Sequence, residues 1–291
     1  MEAAYINGRF VEPSKAMVSI QDRGFLFADG VYEVIASYDS VPLALDRHLI
    51  RLQRSLDELR IPLDVEEYGM ENVVEQLVDQ TKSADALIYI QVTRGVAPRR
   101  HEFPNPSPSP TVVLTTSALA PLPQWMSQEG VSCVAVPNQR WGRCDIKTVS
   151  LLPNVLARQH ASEAGAFEAL LLDAENRVLE GSSTSSFCVC DAQLRTTPLG
   201  PSILPGITRE LAIEAARELD LVVREEETFL EDYLNAQEVF ITGTSIDALP
   251  VVNIDDHVIG TGSPGPVTRR LAEALRLQRS QPQETGVPDD S

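Results

Sequence analysis

The stretch RWGRCDIKTVSLLPN, residues 140–154, holds one lysine, Lys147, among apolar and small polar neighbours. Lys147 opens a run that is typical of a helix. It is either a salt-bridge residue at a strand edge or an amine held for covalent chemistry. An ammonium group becomes nucleophilic near neutral pH only when burial or neighbouring cations favour loss of its proton. Arg140 and Arg143 are close in sequence, although a strand would place them on its two faces.

The composition indicates a cytoplasmic protein without a nucleic-acid partner. The 291 residues are 43% hydrophobic, which is enough for one large domain or two ordinary ones. A run of about 18 apolar residues, which would predict a membrane span, does not occur in the sequence, and the first residues lack the pattern of a secretory signal. The net charge of −18 argues against binding a phosphate backbone, because that requires clustered cations.

The cysteines predict no metal site. Cys188 and Cys190 have the spacing C-x-C, which differs from the C-x-x-C pairs of zinc ribbons. Only four histidines are available as further ligands. The four cysteines are therefore expected to be buried free thiols.

The order of the elements predicts an α+β protein with two domains. Strands are grouped and do not alternate regularly with helices, and residues 46–61 place four leucines at helical spacing. The segment APLPQWMSQEG, residues 120–130, is proline-rich and resembles a linker. The expected organisation is an N-terminal α+β domain over residues 1–120, a C-terminal domain over 121–278 and a flexible polar tail over 279–291.

Three further segments are suited to binding an anionic heteroaromatic ligand. In VLEGSSTSSF, residues 178–187, Glu180 precedes a glycine and small hydroxyl residues, which lets a ligand approach the backbone. The alternative is a solvated turn between two strands. LPGITRE, residues 204–210, begins a helix whose first amides face an anion, and FITGTS, residues 240–245, ends a buried strand in small hydroxyl residues. A lysine, a carboxylate and two phosphate cradles together match the needs of pyridoxal phosphate.

Six segments in this order resemble the fold-type IV (class IV) pyridoxal-phosphate aminotransferases, over roughly residues 3–278: RGFLFADGVYEV, HLIRL, RCDIKTVSLLPNVLA, LEGSSTSSF, LPGITR and VFITGTS. The resemblance implies two α/β domains, with pyridoxal 5'-phosphate at the domain interface and the C-terminal domain binding it. It implies that Lys147 is the lysine of the Schiff base and that Glu180 pairs with the pyridine nitrogen. It also implies phosphate and ring contacts from Arg51, Ile207, Thr208, Thr244 and Leu204. Without the resemblance, Arg51 would be interpreted as a surface arginine of a helix.

The stretch YIQVTRGVAPRRHEFP, residues 89–104, resembles the strand and loop of D-amino acid transaminases that end in an Arg-x-His motif. The resemblance places that motif on Arg99 and His101, contributed by the partner subunit of a homodimer, and adds Tyr32 as the third group that binds the substrate carboxylate. A guanidinium fork with imidazole and phenol donors suits a planar carboxylate. The alternative is a solvated basic loop, and the role of Arg100 stays open.

The sequence therefore predicts a cytoplasmic, homodimeric D-amino acid transaminase that uses an amino acid such as D-alanine and a 2-oxo acid such as 2-oxoglutarate. Alternatives on the same scaffold are a branched-chain L-amino acid transaminase, an (R)-amine transaminase and an aminodeoxychorismate lyase. A non-catalytic carrier of pyridoxal phosphate, or an interaction protein that keeps the fold, is the alternative from a different class. The presence of both Lys147 and Glu180 argues against that last interpretation.

Overall fold

The computed structural model describes residues 1–279, so the predicted flexible tail, apart from Arg279, lies outside the described residues. Helices and sheets occur together in the chain, and the α+β class predicted from the sequence is confirmed. The chain divides into two compact units. The first comprises Met1–Ala120 and Ile146–Ser150, and the second comprises Pro121–Asp145 and Leu151–Gln278.

The first unit contains a six-stranded antiparallel sheet. Its strands are β1 (Ala3–Ile6), β2 (Arg9–Val11), β3 (Gly30–Tyr38), β4 (Val41–Pro42), β5 (Ala86–Thr93) and β6 (Thr111–Ala118). Their order across the sheet is β2-β1-β6-β5-β3-β4, and each neighbouring pair is antiparallel. The two central strands, β3 and β5, pair over their whole common length, from Gly30 with Thr93 to Ser37 with Ala86.

Two helices, α2 (Leu45–Leu59) and α3 (Met70–Asp79), pack on this sheet through one apolar face. The unit also contains α1 (Arg23–Phe27), whose buried residue is Arg23, and a 3-10 turn at Pro13–Lys15. Along β5 alternate residues are fully buried, as in Ile88 and Ile90, because side chains of a strand alternate between its faces. Leu52 and Leu56 of α2, one helical turn apart, lie in the same core. This packing fixes α2 beside β3.

The segment around Lys147 belongs to the first unit, whereas the boundary predicted from the sequence places it in the C-terminal domain. Thr148 forms an isolated antiparallel bridge with Val31, and the amide of Val149 donates to the carbonyl of Gly30 at 3.1 Å. The expectation that Lys147 opens a helix is wrong, since the helix begins at Leu152. The segment forms no helix because its amides and carbonyls bond to the start of β3 and not to a helical turn.

The second unit contains a nine-stranded mixed sheet. Its strands are β7 (Val131–Pro137), β8 (Glu168–Leu172), β9 (Val178–Gly181), β10 (Ser185–Cys190), β11 (Gln193–Thr196), β12 (Val222–Glu225), β13 (Glu238–Gly243), β14 (Asp247–Ile254) and β15 (His257–Val258). The order is β12-β11-β10-β13-β14-β7-β8-β9, with β15 paired to β14. The pairs β11/β12, β14/β7 and β7/β8 are parallel.

Side chains paired across neighbouring strands fill the core of the second unit, and helices pack on the sheet. Phe187 of β10 and Phe240 of β13 are direct partners across the sheet, and their rings stack with centroids 4.8 Å apart. The helices of this unit are α4 (Gln124–Glu129), α5 (Leu152–Glu163), α6 (Ile207–Glu218), α7 (Leu230–Leu234) and α8 (Pro266–Gln278). In residues 1–279 we find no helix with the length and apolar character needed to cross a membrane.

Candidate active site

Lys147 and Tyr32, two of the predicted site residues, lie together in the first unit. The amide of Tyr32 donates to the carbonyl of Lys147 at 3.0 Å, and the amide of Lys147 lies 3.4 Å from Oγ of Ser55 on α2. Nζ of Lys147 lies 4.3 Å from the centroid of the Tyr32 ring, within the range of a cation–π contact. The hydrogen bond to the main chain of β3 thus fixes the backbone position of Lys147, and the ring of Tyr32 lies beside the lysine amine.

Arg51 is a buried residue and not a surface arginine of α2. Its side chain is 7% exposed, and it forms two hydrogen bonds of 2.7 Å to the carboxylate of Glu33, whose side chain is fully buried. His48, one turn earlier on α2, places Nδ1 2.7 Å from Oε2 of the same carboxylate. Glu33 and His48 are not among the residues predicted from the sequence. The spacing of His48 and Arg51 on one helix face was the available signal.

The pKa values of Glu33 and His48 indicate that Glu33 carries a negative charge at neutral pH. Burial by itself raises the pKa of Glu33, but the charge and hydrogen bonds of Arg51 and the hydrogen bond from His48 outweigh it and lower the pKa to about 2. The pKa of His48 is lowered, chiefly by burial. His48 is therefore neutral at pH 7 and donates from Nδ1, while Glu33 holds the guanidinium of Arg51 in one orientation.

Arg99 and His101 lie together around a different side chain, Phe27. The guanidinium of Arg99 lies 5.2 Å from the centroid of the Phe27 ring, and the imidazole of His101 meets the ring edge to face at 5.5 Å. Both residues are exposed. Tyr32, the third predicted carboxylate group, instead lies beside Lys147 and Tyr89.

Glu180 lies on β9 of the second unit and is held by two donors. Nη1 of Arg140 donates to Oε1 of the carboxylate, and the amide of Leu204 lies 3.1 Å from the same oxygen. The side chains of Arg140 and Glu180 are each 7% exposed. Arg140 is itself oriented by Oδ1 of Asn138 and the carbonyl of Ser202. The sequence identifies Arg140 only as a cation near Lys147, and the contact between Arg140 and Glu180 is not predicted from it.

The hydroxyl groups that follow Glu180 point largely to another carboxylate. Ser182, Ser183 and Thr184 each donate a side-chain hydroxyl to Glu168, a fully buried residue of β8. The expectation that this loop offers its hydroxyl donors to a ligand is therefore wrong for these three side chains. Glu168 was not assigned a role from the sequence, because its partners are 14 to 16 residues away along the chain.

Three of the predicted ligand-binding segments meet at one end of the second sheet: residues 178–187, 204–210 and 240–245. Gly206 is the N-cap of α6 and supplies no side-chain cap to the first amides. A Cβ at this glycine would lie 2.8 Å from Oγ of Ser185, and a Cβ at Gly243 would lie 3.6 Å from Cγ2 of Thr184. The helix start at Ile207 and Thr208 and the strand end before Thr244 therefore both lie against the start of β10. Amides at a helix N-terminus with nearby hydroxyl groups suit a phosphate.

The cysteines and acidic residues form no metal-binding cluster in the described part of the chain. Residues 1–279 contain no group of three or more His, Cys, Asp or Glu side chains that could hold a metal ion. Cys133, Cys144 and Cys188 are buried free thiols, and Cys190 is half-buried and also free.

Comparisons with known proteins agree on one family. Residues 30–254 match the family model of amino-transferase class IV. D-alanine aminotransferase of Bacillus licheniformis is 40% identical over 270 residues, which cover 93% of this chain and 94% of that protein.

Solved structures of the same family have the same fold. The branched-chain amino acid aminotransferase of Escherichia coli superposes with a TM-score of 0.89 at 26% identity, covering 94% of this chain and 93% of that one. The branched-chain amino acid aminotransferase of Thermoproteus uzoniensis with norvaline gives a TM-score of 0.82 at 26% identity, covering 95% and 94%. A further branched-chain amino acid aminotransferase, from T.th., contains pyridoxamine 5'-phosphate and gives a TM-score of 0.87 at 29% identity, covering 97% and 95%. The family and the fold predicted from the sequence motifs are confirmed, and the chain belongs to the class IV aminotransferases.

Proposed function

We propose that this enzyme is a pyridoxal-phosphate-dependent D-amino acid transaminase that moves the amino group of an amino acid such as D-alanine to a 2-oxo acid such as 2-oxoglutarate. The observation that carries the proposal is the placement of Nζ of Lys147 over the Tyr32 ring, 4.3 Å from its centroid. The 40% identity to D-alanine aminotransferase over nearly the whole chain supports the substrate class. We further propose a cytoplasmic homodimer.

The donor chemistry of each unit fits pyridoxal phosphate. In the first unit a primary amine at Lys147 suits the cofactor aldehyde, and the buried cation of Arg51 suits its phosphate. In the second unit the carboxylate of Glu180 suits a protonated pyridine nitrogen. The uncapped amides at the start of α6 and the hydroxyl of Thr244 suit phosphate oxygens. We propose that each of these residues contacts the cofactor, with Leu204 against its ring.

The mechanism follows from what these side chains can do. When bound, the cofactor withdraws the electron pair that is left on the substrate Cα. Lys147 would accept the proton released from the substrate Cα and later give it back, acting first as general base and then as general acid. Glu180 keeps the pyridine nitrogen protonated, and the amide of Leu204 and Arg140 orient that carboxylate. Arg51 and the α6 amides would hold the cofactor phosphate throughout the reaction.

The substrate carboxylate is bound by Arg99, His101 and Tyr32 in this proposal. Arg99 and His101 are exposed and contact Phe27, whereas Tyr32 contacts Lys147. As the family resemblance implies, Arg99 and His101 act on the partner subunit of a homodimer in this proposal. Because the proton moves on the Lys147 side, the position of the carboxylate decides which enantiomer presents its Cα hydrogen to the amine.

The experiment is the visible spectrum of the cofactor-loaded protein with D-alanine, L-alanine or L-leucine, each without a 2-oxo acid. We expect the band of bound pyridoxal phosphate to disappear with D-alanine and to remain with L-alanine and L-leucine. Without a 2-oxo acid, only the first half-reaction can proceed. Loss of the band with L-leucine alone would move the function to a branched-chain L-amino acid transaminase, the activity named for the structural neighbours at TM-scores of 0.89 and 0.87. A spectrum that none of the three amino acids changes would contradict both functions.

A further inference from the structure

Arg99 and His101 lie in the connection between β5 and β6, residues 94–110, and are themselves in neither a helix nor a strand. Residues 98–103 are all exposed and form no regular secondary structure. A connection of this length holds one conformation only when specific contacts offset the entropy of ordering it.

Arg23 binds the main chain of this connection directly. It is 3% exposed, and its Nη1 donates to the carbonyl of Arg100 at 2.6 Å. Its other side-chain contacts in the connection are longer: Nη2 lies 3.4 Å from the carbonyl of His101, and Nη1 lies 3.5 Å from that of Glu102. The amide of Arg23 also donates to the carbonyl of Gly95 at 2.9 Å. One buried guanidinium therefore holds three consecutive carbonyls beside the two proposed carboxylate-binding residues.

Asp29 couples Arg23 to a second arginine that holds the far side of the same connection. Oδ2 of Asp29 accepts from Nε of Arg23 at 2.7 Å and from Nε of Arg94 at 2.8 Å. Burial raises the pKa of Asp29, but the hydrogen bonds from the two arginines outweigh burial and lower it. The guanidinium of Arg94 lies 3.7 Å from the centroid of Phe103, and it donates to the carbonyl of Leu59 at the end of α2 at 2.7 Å.

Phe27 links this network to the side chains that would meet the substrate. Arg23 lies 4.9 Å from the centroid of the Phe27 ring, on which Arg99 and His101 also pack. The ring thus has the buried Arg23 and the exposed Arg99 as neighbours. A shift of Arg23 would move both the main chain and the aromatic support of Arg99 and His101.

We propose that Arg23 is a positioning residue for substrate recognition: through the carbonyls of residues 100–102 and the ring of Phe27 it sets the orientation in which Arg99 and His101 bind the substrate carboxylate. The inference rests on the proposed function, since it concerns the carboxylate group of an amino acid substrate. It makes Arg23 a determinant of the Michaelis constant for the amino acid and not of cofactor binding or proton transfer.

The test compares Arg23→Gln and Arg23→Lys with the wild-type holoenzyme. We measure KM and kcat for D-alanine, the inhibition constant of propionate (the same carboxylate without an amino group), and the dissociation constant of pyridoxal phosphate. We expect both variants to raise KM and the propionate constant by about tenfold or more, because small displacements of binding groups have effects of this size. The values of kcat and cofactor affinity stay within about threefold of wild type.

Two further variants make the result interpretable. Arg9→Gln, an exposed arginine on β2 of the same unit, carries the same substitution and keeps wild-type constants. Phe27→Leu keeps the buried arginine and removes the ring, and it raises the propionate constant in the same direction even where Arg23→Gln fails to fold. Unchanged propionate inhibition in folded Arg23→Lys and Phe27→Leu would overturn the inference, as would an equal loss of cofactor affinity. A wild-type protein that fails to react with D-alanine would instead contradict the proposed function.

Discussion

Glu33 and Arg51 form a buried bidentate ion pair that connects β3 to α2. Nε and Nη2 of Arg51 lie 2.7 Å from the two oxygens of Glu33, and the carboxylate is fully buried. His48 adds a third hydrogen bond to the same carboxylate. A planar fork matched to a carboxylate in this way has a single orientation, so the guanidinium that we propose for the cofactor phosphate is set in place before any ligand arrives.

The first prediction concerns this pair. Glu33→Gln leaves the cation of Arg51 buried without its counter-ion, and we expect the free energy of unfolding at pH 7 to fall by about 3–5 kcal/mol, the usual cost of removing one partner from a buried pair. Urea denaturation of the apo-protein measures it. Glu75→Gln, an exposed position on α3, is the matched control and stays close to wild type. Equal stability of the two variants would contradict the structural role of the pair.

The pH dependence of that difference has a defined sign. The pKa of Glu33 is about 2 in the folded chain and 4.5 for the ordinary group. A lowered folded pKa gives stability that is fully present above the ordinary pKa of 4.5 and is lost as the pH falls toward about 2. The stability gap between wild type and Glu33→Gln therefore shrinks as the solution becomes more acidic than pH 4.5. A gap that widens on acidification would show that Glu33 is not the ionised partner of Arg51.

The second prediction concerns Lys147. Lys147→Ala removes the proposed acid–base group, and we expect transamination of D-alanine to fall by more than about 1,000-fold. Binding of pyridoxal phosphate, measured by equilibrium dialysis, remains detectable because the proposed phosphate contacts persist. Lys15→Ala removes an exposed lysine that pairs with Glu12 and leaves turnover unchanged. Appreciable turnover by Lys147→Ala without added amine would refute the assignment of the base.

The third prediction concerns Arg140, whose guanidinium donates to Glu180. Arg140→Gln removes a positive charge next to the carboxylate proposed for the pyridine nitrogen. Loss of a nearby cation favours protonation of the remaining groups, so the pH midpoint of the visible spectrum of the bound cofactor shifts upward. Arg224→Gln, at an exposed position on β12, is the control. A midpoint that stays the same, or moves downward, would show that Arg140 does not act on the cofactor through Glu180.

The fourth prediction concerns Gly206 at the start of α6. In Gly206→Ala the new Cβ would lie 2.8 Å from Oγ of Ser185, so the Ser185 hydroxyl or the helix start has to shift, and we expect the shift to disturb the first amides of α6. Loss of one charge-assisted hydrogen bond to the phosphate costs about 1.5–3 kcal/mol, or roughly a tenfold or larger loss of affinity for pyridoxal phosphate. At Gly200 an added Cβ meets nothing within 4 Å, so Gly200→Ala should bind the cofactor normally. Equal affinities in the two variants would argue against this helix start as the phosphate site.

The ordered motifs in the sequence determined the family, the α+β class and the residues to which roles are proposed. This was possible because the chemistry of such a site demands particular residue types in short segments: an amine at Lys147, a carboxylate at Glu180, and a glycine turn before Ile207. Local signals of this kind can be identified without knowledge of the fold.

Only the tertiary structure decided how those residues are supported. Glu33 is a strand residue whose partner lies 18 positions later, Arg140 binds a carboxylate 40 positions away, and Arg23 reaches the carbonyl of a residue 77 positions away. No short-range periodicity marks such pairs, because the energy of a buried charge depends on which partner the folded chain brings to it. The non-helical course of the Lys147 segment was decided in the same way, by the hydrogen bonds it makes with the start of β3.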